Sequence, residues 1–134
     1  MLTHASCVAY RRRGVLLRGP SGAGKSSLAL ALVERGWVLV GDDQVRLEAR
    51  GGRLFASPPA TLAGRIELRG AGILALPYLA EAPVLLVLDL AEGERLPEPE
   101  RAWLAGIGLP LYRLPAAGAA ERLPLLLRQA MLAP

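Results

Sequence analysis

The sequence predicts a single α/β domain, over residues 1–134, in which helices flank a sheet of mixed parallel and antiparallel strands. One observation is a glycine-rich stretch, residues 19–26, set between an apolar run and a helix-forming run. Another is the alternation of apolar and polar residues around the glycine pair at 51–52, which is typical of an antiparallel hairpin. The third is the short unbroken apolar run within residues 14–18, which is of the kind that parallel sheets use.

The first forty residues predict a strand followed by a βαβ unit. The strand covers residues 2–10, and a turn follows it at residues 11–14. The βαβ unit consists of a buried strand, a helix and a second strand, at residues 14–18, 26–35 and 37–40. Gly36 supports the end of this helix, because glycine is favoured just past a helix terminus.

The rest of the chain predicts mostly strands. They form a hairpin over residues 44–56, a short strand at 65–69, the apolar strand at 83–90 and an edge strand at 109–114. Residues 92–100 are acidic and rich in proline, and therefore predict a surface loop. An amphipathic pattern over residues 121–132 predicts a terminal helix, which we expect to start at Pro124 because proline fits the first turn of a helix.

Composition limits the class of protein. The net charge is +4, and the basic residues are scattered apart from residues 11–13, which we interpret as a turn rather than a nucleic-acid surface. The single cysteine, Cys7, excludes an internal disulfide and fits a reducing compartment. The sequence has neither an apolar stretch of the roughly 18 residues that span a membrane nor a signal-peptide layout. We therefore expect a cytoplasmic protein that binds neither membranes nor nucleic acids.

Residues 19–26 fit the phosphate-binding pattern G-x-x-x-x-G-K-[ST]. Its glycines let backbone N–H groups curve around an anion, and the following helix points its positive end at the same place. We expect Lys25, the only lysine in the chain, to reach the β- and γ-phosphates, and the Ser26 hydroxyl to bind Mg²⁺. The predicted nucleotide-binding residues are Gly19, Pro20, Ser21, Gly22, Ala23, Gly24, Lys25, Ser26 and Ser27.

The adjacent carboxylates Asp42 and Asp43 follow the strand at residues 37–40. Because the carboxyl ends of parallel strands meet at the edge where a phosphate loop also lies, we expect both residues near the loop. One can hold Mg²⁺, directly or through water, and the other can take a proton from an attacking hydroxyl. The alternative is a plain turn or helix cap. Asp89, which ends the apolar strand, is the rival carboxylate on the metal side, or only a strand end facing solvent.

Glu67 and Arg69 share one face of a segment if it is extended. They form either a surface ion pair or part of a site, and the Gly-Ala-Gly sequence at 70–72 favours a site because it allows close approach to the backbone. His4 is the only histidine, and a lone histidine is more often structural than catalytic. Without a second histidine or a cysteine pair, we expect no zinc site.

Three blocks of sequence together resemble the catalytic domain of the HPr kinase/phosphorylase family. They are GVLLRGPSGAGKS at 14–26, ERGWVLVGDD at 34–43 and IELRGAGI at 66–73, and the resemblance covers roughly residues 2–90. It implies a P-loop kinase-like α/β fold shared with phosphoenolpyruvate carboxykinase. It also implies an ATP- and Mg²⁺-dependent protein-serine kinase, with a reverse phosphorylase reaction, acting on HPr or a related phosphocarrier of the phosphotransferase system. A homo-oligomer, a hexamer by resemblance, is the implied assembly.

The resemblance also implies roles for residues on the phosphate and metal side. Lys25 matches the lysine of the phosphate loop. Ser26 and Glu67 match the ligands of Mg²⁺. Arg69 matches an arginine that stabilises phosphoryl charge.

On the acceptor side, the pair Asp42 and Asp43 matches the position of the base that deprotonates the target serine. We favour Asp43 as the base, and the same group would be the acid in the reverse reaction. His4 matches the active-site histidine of the family.

The phosphate loop alone fits two other functions. A small-molecule P-loop kinase suits a chain of this length, but such enzymes usually carry an arginine-rich lid, and residues 92–100 are acidic instead. A non-catalytic nucleotide-binding regulator would bind ATP without transferring its phosphate.

Overall fold

The structure, a computed structural model, describes residues 1–92 and 100–132. The strands are β1 (Leu2–Thr3), β2 (Ser6–Tyr10), β3 (Arg13–Arg18), β4 (Val38–Gly41), β5 (Val45–Arg50), β6 (Arg53–Ser57), β7 (Arg65–Leu68), β8 (Gly72–Ala75), β9 (Ala82–Leu90), β10 (Glu100–Leu104) and β11 (Ile107–Leu114). The helices are α1 (Lys25–Glu34) and α2 (Ala119–Leu132), and a single 3₁₀ turn covers Ala60–Leu62. Most of the acidic loop predicted at 92–100 lies outside the described residues.

A large mixed sheet forms the centre of the fold. Its main order is β1-β5-β6-β9-β3-β2-β4. Strand β9 is parallel to β3 on one side, while its other side pairs with β6 near its start and with β11, again parallel, near its end. Strands β7 and β8 form a separate hairpin. This architecture confirms the predicted α/β fold with a mixed sheet flanked by helices.

The predicted βαβ unit is present, but its strands are not neighbours. Strand β2 pairs with both β3 and β4 and is antiparallel to each, so β3 and β4 run parallel with β2 between them. The reason is local, because a tight turn at residues 11–12 folds β2 back onto β3 before α1 begins. The middle of β2 is apolar and fully buried, so it completes the sheet at that position.

Side chains of the central strands alternate between two apolar cores. On β3, Leu16 points into one core, whereas Val15 and Leu17 point into the other. The second core is covered by the helices, through Leu28 and Leu32 of α1 and Leu123 and Leu127 of α2. The first is enclosed by other strands of the same curled sheet, through Leu47, Leu54, Leu104 and Leu111.

The N-terminal strand predicted over residues 2–10 is two strands. The chain bends at His4, so that β1 pairs with β5 while β2 enters the central sheet. The prediction of one continuous strand is therefore wrong at this point.

The strand predicted at 109–114 is present, but the prediction that it lies at the edge of the sheet is wrong. Strand β11 lies between β9 and β10, and β10 carries the edge. A two-residue turn at Ala105 and Gly106, both with positive φ (50° and 80°), joins β10 to β11. Alternating burial of Ala102 and Leu104 explains why residues 100–104 pair as a strand.

The C-terminal helix begins five residues earlier than the prediction from Pro124. Ala119 and Ala120 are buried in the helix-covered core, which makes their helical packing favourable. Glu121 lies in the first turn, where its charge suits the positive end of the helix. Pro124 therefore lies inside α2. No helix in the described part of the chain is long and apolar enough to cross a membrane.

Candidate active site

The loop between β3 and α1 has backbone groups available for an anion. Gly22 and Gly24 adopt left-handed conformations, with φ of 85° and 103°. The N–H of Ala23 donates to the carbonyl of Pro20 at 3.0 Å, which closes the loop on itself. Gly24 caps α1 without a side-chain hydrogen bond, and the first turn of α1 holds no acidic residue. The N–H groups of residues 25–27 are therefore suited to an external anion.

Lys25 is a buried cation that contacts only neutral groups. Its Nζ donates to the carbonyl oxygens of Gly19 at 2.6 Å and Pro20 at 3.1 Å. Within residues 1–92 and 100–132, it has no carboxylate partner. Ser21 and Ser27, also predicted to bind nucleotide, are exposed on the same loop and helix turn. The loop thus holds one positive charge that a phosphate could balance.

Asp42 is a buried carboxylate joined to the start of α1. It is 6% exposed, and the Ser26 hydroxyl lies 2.8 and 3.1 Å from its two oxygens. The Ser6 hydroxyl donates to the same carboxylate at 2.7 Å. Burial of a charged carboxylate is costly unless donors surround it, and these two hydroxyls meet that need.

Ser26 and Asp42 fit Mg²⁺ by their chemistry. Hydroxyl and carboxylate oxygens are the hard ligands that this ion prefers, and Mg²⁺ commonly combines one or two carboxylates with substrate phosphates. Among the residues that the structure describes, no three His, Cys, Asp or Glu side chains converge. This pair would therefore share the ion with the phosphates of a nucleotide.

Asp43 has an environment opposite to that of Asp42. Its side chain is 65% exposed, and its Oδ1 lies 2.9 Å from Nε2 of His4, which is 51% exposed. The backbone of Asp43 is left-handed, with φ of 67°, a conformation that aspartate tolerates better than most residues. The bend at His4 and the backbone of Asp43 together bring these two side chains into contact at the surface.

Ser6 also belongs to this cluster, although no sequence pattern predicted it. The residue is 1% exposed, and its hydroxyl donates to Asp42 and accepts from the backbone N–H of Asp43 at 3.5 Å. A small polar residue at the start of a buried apolar strand was the available signal.

Glu67 and Arg69 are not joined to this cluster. Both are exposed, one on β7 and one in the turn after it. In the described residues they form no hydrogen bond or ion pair, either with Asp42 and Ser26 or with each other. Ile66, which precedes them on β7, is buried in the helix-covered core and holds this strand against α1. Their roles in metal and phosphoryl binding stay predictions.

Asp89 is held by arginines. Arg18, which directly precedes the phosphate loop, binds both of its oxygens at 2.7 and 3.0 Å, and Arg113 lies 3.6 Å away. The Asp89 side chain is 18% exposed, so it is not a strand end facing solvent. Asp42, rather than Asp89, is the carboxylate in contact with Ser26.

Comparison with known proteins bears on the family and the fold of the chain. Residues 1–79 match the family model described as HPr Serine kinase C-terminal domain. A solved structure, that of the Hpr(Ser) kinase/phosphatase from Coxiella burnetii, is similar with a TM-score of 0.88 and 28% sequence identity. The similarity covers 98% of this chain and 97% of that chain.

Curated relatives are similar over part of their length. An HPr kinase/phosphorylase from Chlorobium luteolum is 38% identical over 130 residues, which is 84% of this chain and 39% of the relative. Another from Clostridium tetani is 46% identical over 66 residues, which is 49% of this chain and 22% of the relative. The chain therefore spans well under half the length of these relatives.

Proposed function

The chain belongs to the HPr serine kinase C-terminal domain family, as its three sequence blocks predicted, and we propose that it transfers the terminal phosphoryl group of ATP to a serine of HPr or a related phosphocarrier. The observation that carries this proposal is the division between two adjacent carboxylates. Asp42 is buried against Ser26, while Asp43 is exposed beside His4. One carboxylate thus suits a metal and the other suits an incoming acceptor. We further propose that the protein acts in the cytoplasm as a homo-oligomer.

The nucleotide side of the reaction rests on the loop and the start of α1. Lys25 exchanges its two carbonyl partners for phosphate oxygens and balances their charge. Ser26 and Asp42 would hold Mg²⁺, which would supply positive charge to offset the negative charge of the nucleotide phosphates. Glu67 would add a second carboxylate ligand for Mg²⁺ and Arg69 would stabilise the transferred group, as the resemblance to the family implies.

The acceptor side rests on Asp43 and His4. The serine oxygen bonds to the terminal phosphorus as the bond from that phosphorus to the bridging oxygen breaks, and ADP leaves. Asp43 takes the proton of the serine hydroxyl, and His4, 2.9 Å away, keeps this carboxylate in position. In the reverse, phosphorolytic direction, Asp43 returns the proton to the serine oxygen.

The test is incubation of the protein with ATP labelled at the terminal phosphate, Mg²⁺ and purified HPr. We expect label on a serine of HPr. Lys25→Ala and Asp43→Asn should each lower the transfer rate by about 100-fold or more, because each removes a charge used in the transition state. Asp43→Asn should keep its affinity for nucleotide, since Asp43 lies on the acceptor side.

Glu34→Gln is the matched control, because Glu34 is an exposed carboxylate at the far end of α1. Its transfer rate should equal that of the unmodified protein. Nucleotide binding without transfer to any serine would identify a regulator and overturn the proposal. If HPr stays unlabelled and a metabolite added in its place takes the label, the protein is a small-molecule kinase.

A further inference from the structure

A cavity of about 370 Å³ lies at the end of the central sheet opposite the phosphate loop. It is lined by the turn between β2 and β3 and by the segment between α1 and β4. The phosphate loop follows the other end of β3, so the two sites are separated by the length of that strand, about 17 Å at roughly 3.3 Å per residue. The volume falls within the range of pockets that hold small organic ligands.

The floor of this cavity is aromatic and apolar. Trp37 is 4% exposed, and the ring of Tyr10 lies against it with centroids 5.7 Å apart. Helix α2 adds Leu127, which is buried, and Met131, which is 44% exposed. Tyr10, which is 38% exposed, and Met131 therefore offer apolar surface to the body of a ligand, while Trp37 and Leu127 are almost fully covered.

The rim of the cavity is strongly basic. Four arginines line it, Arg11, Arg13, Arg35 and Arg128, and no carboxylate does. Arg35 is paired with Glu121 at 2.8 Å, but the other three have no carboxylate partner in the described residues. Guanidinium groups bind phosphate and carboxylate through paired hydrogen bonds, so this rim fits an anion.

The turn that carries part of this rim is conformationally costly. Arg11 and Arg12 have φ of 49° and 64°, in a two-residue hairpin turn where Asn and Gly are favoured. Arginine at these positions costs conformational energy that glycine would not. Strained residues of this kind concentrate at functional sites, which agrees with a role for the turn in binding.

We propose that this cavity binds an organic anion of metabolite size, with a phosphate or carboxylate group at the arginine rim and an apolar body against Tyr10 and Met131, next to the buried Trp37. The site is separate from the nucleotide site, and the proposal does not depend on the proposed kinase function. Arg12 lies between Arg11 and Arg13 in the chain but does not line the cavity, so its substitution is a control for theirs.

The test uses Trp37 as the reporter. The chain has two tryptophans, so the Trp103→Phe variant leaves Trp37 alone on the cavity floor. Titration with phenyl phosphate or benzoate should change its fluorescence in a saturable way. Inorganic phosphate lacks the apolar body and phenol lacks the anionic group, so each should bind at least tenfold more weakly than phenyl phosphate.

Variants assign the binding to the cavity. Arg128→Ala and Arg13→Ala should each weaken the binding of phenyl phosphate at least fivefold, whereas Arg12→Ala and Lys25→Ala should stay within twofold. The proposal is overturned if no saturable change occurs, or if Arg12→Ala weakens binding as much as Arg13→Ala does. Loss of binding in Lys25→Ala, or tighter binding of a polyglutamate peptide than of phenyl phosphate, would also overturn it.

Discussion

Two adjacent aspartates differ in burial because hydroxyl groups reach only one of them. The side-chain donors of Ser6 and Ser26 offset the cost of burying the Asp42 carboxylate. Asp43 faces solvent and His4 instead, which its left-handed backbone permits. A carboxylate that solvent and an acceptor can reach suits proton transfer, whereas a buried one beside a hydroxyl suits a metal ion.

At the same scale, burial raises the pKa of the Cys7 thiol from 9.0 to about 12. Between these values the unfolded chain loses its thiol proton and the folded chain does not, so the free energy of unfolding falls as the pH rises. For one proton the slope is at most about 1.4 kcal/mol per pH unit. We expect the unmodified protein to lose stability faster than Cys7→Ala between pH 9 and 11 in urea unfolding.

Both proteins contain the same tyrosines and arginines. The difference between their pH slopes of unfolding free energy therefore does not include the titration of those residues. Cys7→Ala should be less stable near pH 7, because it leaves a small cavity in the sheet. Equal slopes for the two proteins above pH 9 would show that the thiol is not shielded from water.

At the scale of elements, the sequence predicted correctly the loops, helices and hairpins whose formation depends on neighbouring residues. The glycine-rich loop before α1, the helix itself and the hairpin around residues 51–52 formed where the sequence predicted them, because glycine positions and apolar periodicity determine them. The insertion of β2 between β3 and β4, and the pairing of β10 outside β11, were missed because they depend on contacts between distant segments. The cluster of His4, Ser6 and Asp43 was only partly predicted for the same reason.

Helix α2 gives a prediction at this scale, since Pro124 lies inside it. The proline lacks the N–H that would bond to the carbonyl of Ala120 and crowds the preceding turn. Pro124→Ala should therefore raise the free energy of unfolding by about 1 kcal/mol or more, measured by urea denaturation. Leu125→Ala, at a residue 63% exposed on the same helix, should change it little. If the helix began at Pro124, the proline would be favourable and its removal would lower the stability.

At the scale of the whole molecule, one sheet separates two cores and also positions both sites. The ends of β3 carry the phosphate loop on one side and the basic turn of the cavity on the other. The curl of the sheet encloses one core, and the two helices cover the second. Because β2, β3 and β9 contribute side chains to both cores, neither core can lose its packing without disturbing the strands that support the other.

This arrangement predicts that the two cores unfold together. Leu16 and Leu17 are fully buried neighbours that face different cores, and truncation of either to alanine should cost about 2–5 kcal/mol. Trp37 is buried in the helix-covered core, whereas Trp103 is 69% exposed on β10 and reports on that strand through its neighbours Ala102 and Leu104, which belong to the other core. Single-tryptophan versions of Leu16→Ala and Leu17→Ala should show the same urea midpoint for both reporters. A Leu16→Ala transition that moves only the Trp103 signal would mean that the curled half of the sheet unfolds independently.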